Sequence, residues 1–143
     1  MILKLTPFIL QGLILSVDEF YCHRRRSLGV WERVGHPIDT FVFSLALTLL
    51  LFLQQESWWI YAGVGFLSCL LVSKDEWVHA ELSSGFENWL HALLFMLHPV
   101  VLIWAGYLWW SEDTDVRSIV LVALGFSGAF FLYQCVYWKL RPK

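Results

Sequence analysis

Five apolar runs partition this chain, roughly Ile2–Cys22, Pro37–Gln54, Trp58–Lys74, Trp89–Trp110 and Val116–Trp138. A hydrocarbon layer about 30 Å thick takes about 20 residues to cross at helical rise, with a range of about 17–25. Each run is long enough, and the expected fold is an all-α polytopic membrane protein with five transmembrane helices. The first run resembles a signal peptide in having Lys4 ahead of an apolar stretch. It ends, however, in Asp18-Glu19 and three arginines with no small-residue cleavage site, so it is read as a span. No segment is left over for a soluble domain, and residues 1–143 are read as one integral membrane domain.

Composition agrees with a lipid environment. Hydrophobic residues make up 58% of the 143 positions and aromatic residues 17%, with a mean hydropathy of +0.60, where soluble domains hold apolar residues nearer half. Among nine tryptophans, Trp58-Trp59 and Trp109-Trp110 stand in pairs at run ends, where amphipathic rings settle at the membrane–water interface.

Lys and Arg concentrate in short cytoplasmic loops. With five spans, Arg24, Arg25, Arg26, Arg33, Lys74, Lys139, Arg141 and Lys143 fall on one side, and Lys4 and Arg117 on the other. The expected orientation, of bacterial inner-membrane type, places the amino terminus outside and the carboxyl terminus in the cytoplasm. The partner this implies is the lipid bilayer. Nothing points to nucleic acid, and the sequence does not set an oligomeric state. Cys22, Cys69 and Cys135 are widely spaced with no CxxC pair, which supports neither a disulfide framework nor a thiolate zinc site.

The chain also repeats itself. Asp18-Glu19 and His23, followed by Trp31-Glu32 and His36, have counterparts in Asp75-Glu76 and His79, followed by Phe86-Glu87 and His91. Asp75 follows Asp18 by 57 residues, and Glu87 follows Glu32 by 55. Each unit is a span, an acid pair with a histidine, a short loop, an aromatic-Glu-x-x-x-His and a second span. Repeat one covers about 1–56 and repeat two about 57–111; both keep one orientation. Four helices would then form a bundle from two parallel-repeated hairpins. The remaining helix, about 116–138, has no counterpart and reads as a packing helix, with Gly125 and Gly128 allowing close approach to a neighbour.

In this arrangement the polar ends of spans one to four share one face, the cytoplasmic one. On a helix, a carboxylate and a histidine three or four residues apart lie on the same side, and such groups at the edge of a bilayer are costly unless they pair, share a proton or hold a metal. The candidate ligands are Glu19, His23, Glu32, His36, Asp75, Glu76, His79, Glu87 and His91. Neither Asp75 against Glu76 nor Asp18 against Glu19 is settled. Asp18, Asp39, Glu81 and His98 are outer candidates that would orient a ligating imidazole. If the second span begins at Pro37, His36 becomes a cap rather than a face-mate of Glu32, and His98 has an alternative partner in a backbone carbonyl freed by Pro99.

Carboxylate oxygen and neutral imidazole suit divalent iron, zinc or manganese, and bridging carboxylates suit two such ions. Iron is favoured by the carboxylate content. The ligand types and helix number are similar to those of di-iron and di-manganese carboxylate bundles, although only Glu76 and His79 keep their Glu-x-x-His spacing. The expected function is that of a membrane metalloenzyme, an oxidoreductase or a hydrolase acting on a lipid-like substrate. A protein for metal transport, storage or sensing, and a protein whose metal only staples its helices, are the alternatives.

Overall fold

A computed structural model describes residues 1–25, 28–74 and 83–140. Asp75, Glu76, His79 and Glu81, on which part of the repeat rests, lie outside the described residues. Helix α1 covers Ile2–Val17, α2 Val30–Phe52, α3 Trp58–Ser73 after a short 3₁₀ turn at Gln55–Ser57, α4 Gly85–Trp110 and α5 Val116–Leu140. Among the described residues no strand occurs. Four segments are long and apolar enough to cross a membrane: Val30–Phe52, Gln55–Ser73, Gly85–Trp110 and Val116–Leu140.

The first run is built differently. Its α-helix stops at Val17, about 24 Å from its start at 1.5 Å per residue, and the chain continues as a π-helical turn over Asp18–His23. An i→i+5 turn is wider than an α-turn and brings residues five apart into line. Asp18, Glu19, Cys22 and His23 are buried as a result, while Phe20 and Tyr21 face outward.

Helix α2 begins seven residues before Pro37, so the proline lies inside the helix. Its ring removes the bond that would have reached the Arg33 carbonyl, but the helix continues through it. His36 is therefore not a cap; it stands one turn beyond Glu32 on the same face. The start of α2 is fixed by Glu32, whose Oε2 accepts the Gly29 N–H at 2.7 Å. At the start of α4 the Ser84 hydroxyl accepts the Glu87 N–H at 3.2 Å. Glu32 and Glu87 are each the third residue of their helix, where an acid also favours the helix dipole.

Helix α2 packs most extensively on α5 and then on α3, while α1 packs on α4. Helices α1 and α2, expected to form a hairpin, are not among the well-packed pairs of the described residues. The close-packed centre joins Ala46, Leu47 and Leu50 of α2 with Tyr61, Leu102, Ala105, Val120 and Ala123. The glycines that permit close approach are not the expected ones. A Cβ at Gly125 or Gly128 would meet nothing within 4 Å, whereas one at Gly106 would lie 2.8 Å from the Tyr61 ring and one at Gly12 3.3 Å from Phe126.

Apolar side chains cover the outside of the bundle as well as its centre, and several polar ones are buried. Phe52, Phe66, Met96, Ile103 and Leu132 face outward, while Gln11, Ser68, His98, Ser127 and Gln134 are buried. Lipid accepts the first set, and helix–helix hydrogen bonds satisfy much of the second. Thr40 donates to Gln134 Oε1 at 2.9 Å, and Ser44 donates to Ser127 Oγ at 2.9 Å. At one end of the bundle Lys4 binds Asp113 and Asp115 at 2.6 and 3.1 Å. Asp18, Glu19, His23, His36, Glu87 and His91 gather at the other.

Candidate metal centre

The wide turn Asp18–His23 and the first two turns of α4 bring together Asp18, His23, Glu87 and His91. One ligand atom from each lies within 4.8 Å of all the others, and all four side chains are buried. His23 Nε2 is 3.4 Å from Asp18 Oδ2 and 3.5 Å from Glu87 Oε1. His91 Nε2 is 3.2 Å from Asp18 Oδ1. Two ligands of one cation can be no farther apart than twice the bond, roughly 4.2 Å for nitrogen or oxygen on zinc. The widest pairs exceed that limit, so the side chains would have to draw in to close around an ion. With both imidazoles neutral, the two carboxylates would carry the charge that a divalent cation cancels. Such a buried cluster is able to hold a metal ion.

Asp18, expected in an outer role, is one of the four converging groups. Glu19 turns instead toward α5: its Oε1 accepts the Trp138 indole N–H at 2.6 Å, and its Oε2 accepts the Gln134 amide at 3.5 Å. The same Oε2 is 3.5 Å from His23 Nδ1. A carboxylate on one ring nitrogen fixes the tautomer and leaves the other nitrogen to face a cation. Helix α5, expected only to pack, therefore reaches the site through Trp138 and Gln134. The sequence signal was a polar residue, Gln134, inside an apolar run, one turn before an indole that has to find an acceptor when buried.

Glu32 and His36 are at the same end but are not among the four converging groups. The His36 ring lies 4.8 Å from the His23 ring, centroid to centroid. Asp39 is paired with Lys74, at 2.7 and 2.8 Å to its two oxygens, and this pair joins α2 to the end of α3. His98 does not bond a carbonyl freed by Pro99. Its Nδ1 is 3.0 Å from Gln11 Nε2 and its Nε2 2.9 Å from Ser68 Oγ, which ties α4 to α1 and α3. No two of the three cysteines are joined in a disulfide.

Outside the bundle core, the guanidinium of Arg24 lies over the Tyr137 ring, 4.9 Å from its centroid, and Arg25 lies 3.8 Å from that of Tyr21. These contacts hold the basic segment against the aromatic girdle at the site end.

No protein-family model, curated protein or solved structure matches the chain. The chemistry of the cluster is what bears on function.

Proposed function

We propose that the chain is a five-span membrane metalloprotein in which Asp18, His23, Glu87 and His91 hold a divalent cation at the cytoplasmic end of the bundle, and that the metal acts on a lipid-like substrate. The observation that carries this reading is the convergence of four buried ligand atoms, from two separate segments, within 4.8 Å. Burying two carboxylates costs several kcal/mol each unless a counter-charge offsets it. A divalent cation supplies that charge and ligand geometry together.

Glu19 is read as the group that orients His23 through Nδ1, leaving Nε2 for the cation. A second cation is proposed beside the first, drawing on Glu32 and His36. This part of the reading is supported by the buried Glu32 carboxylate and by the His23–His36 ring contact. Iron or manganese would supply oxidation of a hydrocarbon chain, and zinc would supply hydrolysis by metal-bound hydroxide. Acyl chains reach such a position from the side and water reaches it from the membrane face.

Elemental analysis of detergent-purified protein, compared with Asp18→Ala and Glu87→Ala, tests the proposal. The expected result is one to two equivalents of iron, manganese or zinc in the parent chain and little in either variant. Iron with a visible charge-transfer band points to oxidation, and zinc to hydrolysis. A parent chain free of metal after supplementation during expression, with both variants folding like the parent, would sink the reading.

A structural staple is the second reading, and the burial of all four groups favours it, since a closed set leaves no open position. Binding of a small exogenous ligand such as azide to protein loaded with iron or cobalt(II), seen as a spectral shift, separates the two: an open coordination position gives the shift and a closed one does not.

A further inference from the structure

A cavity of about 360 Å³ is lined by α1, α2, α4 and α5, with Val72 of α3. Leu5, Phe8, Leu94, Val122, Phe126 and Phe130 make it apolar along most of its length. Its volume falls within the range of about 300–1,000 Å³ typical of small-molecule sites. On α1 the lining runs from Leu5 to Ser16, roughly 16 Å of helix.

One wall carries an unfinished polar group. Gln11 is 4% exposed, and one end of its amide is engaged by His98, itself held by Ser68. The other end, Oε1, has no hydrogen-bond partner among the described residues. A buried amide oxygen left this way is costly, so an occupant that completes it is favoured. Turning the amide over would put its NH₂ in that place. A hydroxyl serves either orientation, because it both donates and accepts.

We infer that this cavity seats a single hydrocarbon chain bearing a hydroxyl group, drawn from the surrounding bilayer, with the hydroxyl on Gln11. Gln11 precedes Asp18 by seven residues, roughly 10 Å along the helix, so the part of the chain that passes Ser16 and Leu94 approaches the cluster. As a statement about substrate class the inference rests on the metalloenzyme reading. As a statement about binding it stands by itself.

The test is photolabelling of the full chain in lipid nanodiscs with diazirine-tagged dodecanol and diazirine-tagged dodecane, sites mapped by mass spectrometry and metal content measured on the same sample. Dodecanol is expected to label the cavity walls about three- to tenfold more than dodecane, the ratio one hydrogen bond supplies. Gln11→Leu is expected to erase that preference while alkane labelling persists, and Ser16→Phe to reduce both. Equal labelling by the two probes in the parent chain, or a preference that survives Gln11→Leu, overturns the inference and leaves water as the partner of Gln11. Should Gln11→Leu not fold, competition on the parent chain decides: untagged dodecanol must displace the label at several-fold lower concentration than dodecane, and equal potency overturns the inference. Selective labelling of protein that holds no metal upholds the binding site and defeats only the metalloenzyme reading.

Discussion

Trp138 donates its indole N–H to Glu19 Oε1 at 2.6 Å, across 119 residues of sequence. Both side chains are buried, at 2% exposure each, so this bond sets the position of Glu19 and, through it, of the His23 ring. Trp138→Phe keeps the ring and removes the donor. If Glu19 orients His23 toward a cation, metal affinity falls by about 10- to 100-fold, as for other outer partners of metal ligands, while the helical content is unchanged. Isothermal titration with zinc or ferrous ion in detergent measures it, and unchanged affinity would remove Glu19 from that role.

Lys74 and Asp39 form a pair in which both Asp39 oxygens are bonded. Asp39 is buried and Lys74 partly exposed, so breaking the pair from one side strands a charge at no more than the lower end of the roughly 3–5 kcal/mol of a fully buried pair, whereas removing both partners costs much less. Lys74→Met is expected to destabilise the fold strongly and Lys74→Met with Asp39→Leu only weakly, read by denaturant unfolding in mixed micelles. Additive effects in that double-mutant cycle would mean that the pair does not couple α2 to α3.

Gly106 lies under the Tyr61 ring, whose hydroxyl donates to the Leu102 carbonyl at 2.6 Å. A methyl group at Gly106 would have to push that ring aside. Gly106→Ala should therefore lower stability by about 1–3 kcal/mol, the usual cost of overpacking, even though alanine is the better helix former. Gly125→Ala, which meets open space, should be neutral or slightly stabilising. A reversal of this order in thermal melts would contradict the packing described.

The Lys4 ammonium, bonded to both Asp113 and Asp115, holds their carboxyls below the ordinary carboxylate range. Groups whose folded values are lowered contribute stability above their unfolded pKa, about 3.9 for aspartate, and lose it as pH falls through the lowered folded values. The clasp at this end of the bundle is therefore intact at neutral pH and weakens in acid below about pH 4. Stability of the parent chain should fall over that interval more steeply than that of Lys4→Met, in melts recorded from pH 6 to pH 2. The groups are exposed to water, so added salt should shrink the difference.

Much of this arrangement was legible from hydropathy and spacing. The apolar runs located the helices, and Glu87 with His91, four apart at the start of α4, mark one half of the cluster by the ordinary helical rule. The other half was obscured because that rule fails there. Asp18 and His23 are five apart, a separation an α-helix does not align but the π-turn does. Glu19, four before His23, looked like the ligand for the same reason. The part played by Trp138 and Gln134 could not be read from local pattern, since it depends on α5 lying alongside α1 in the same direction, a tertiary fact. Pro37 misled in the opposite way: a residue that disfavours helix before it was carried inside α2 because Glu32 and Gly29 had already started the helix upstream.

The turn at Asp18–His23 is wound by one more peptide per hydrogen bond than the helix it ends. Rewound as ordinary α-helix with every residue kept, the segment would set His23 roughly 140° around the axis from Asp18, at about 100° per residue, and so away from Glu87. A difference of one peptide per hydrogen bond thus separates a turn that gathers these side chains from one that spreads them around the helix.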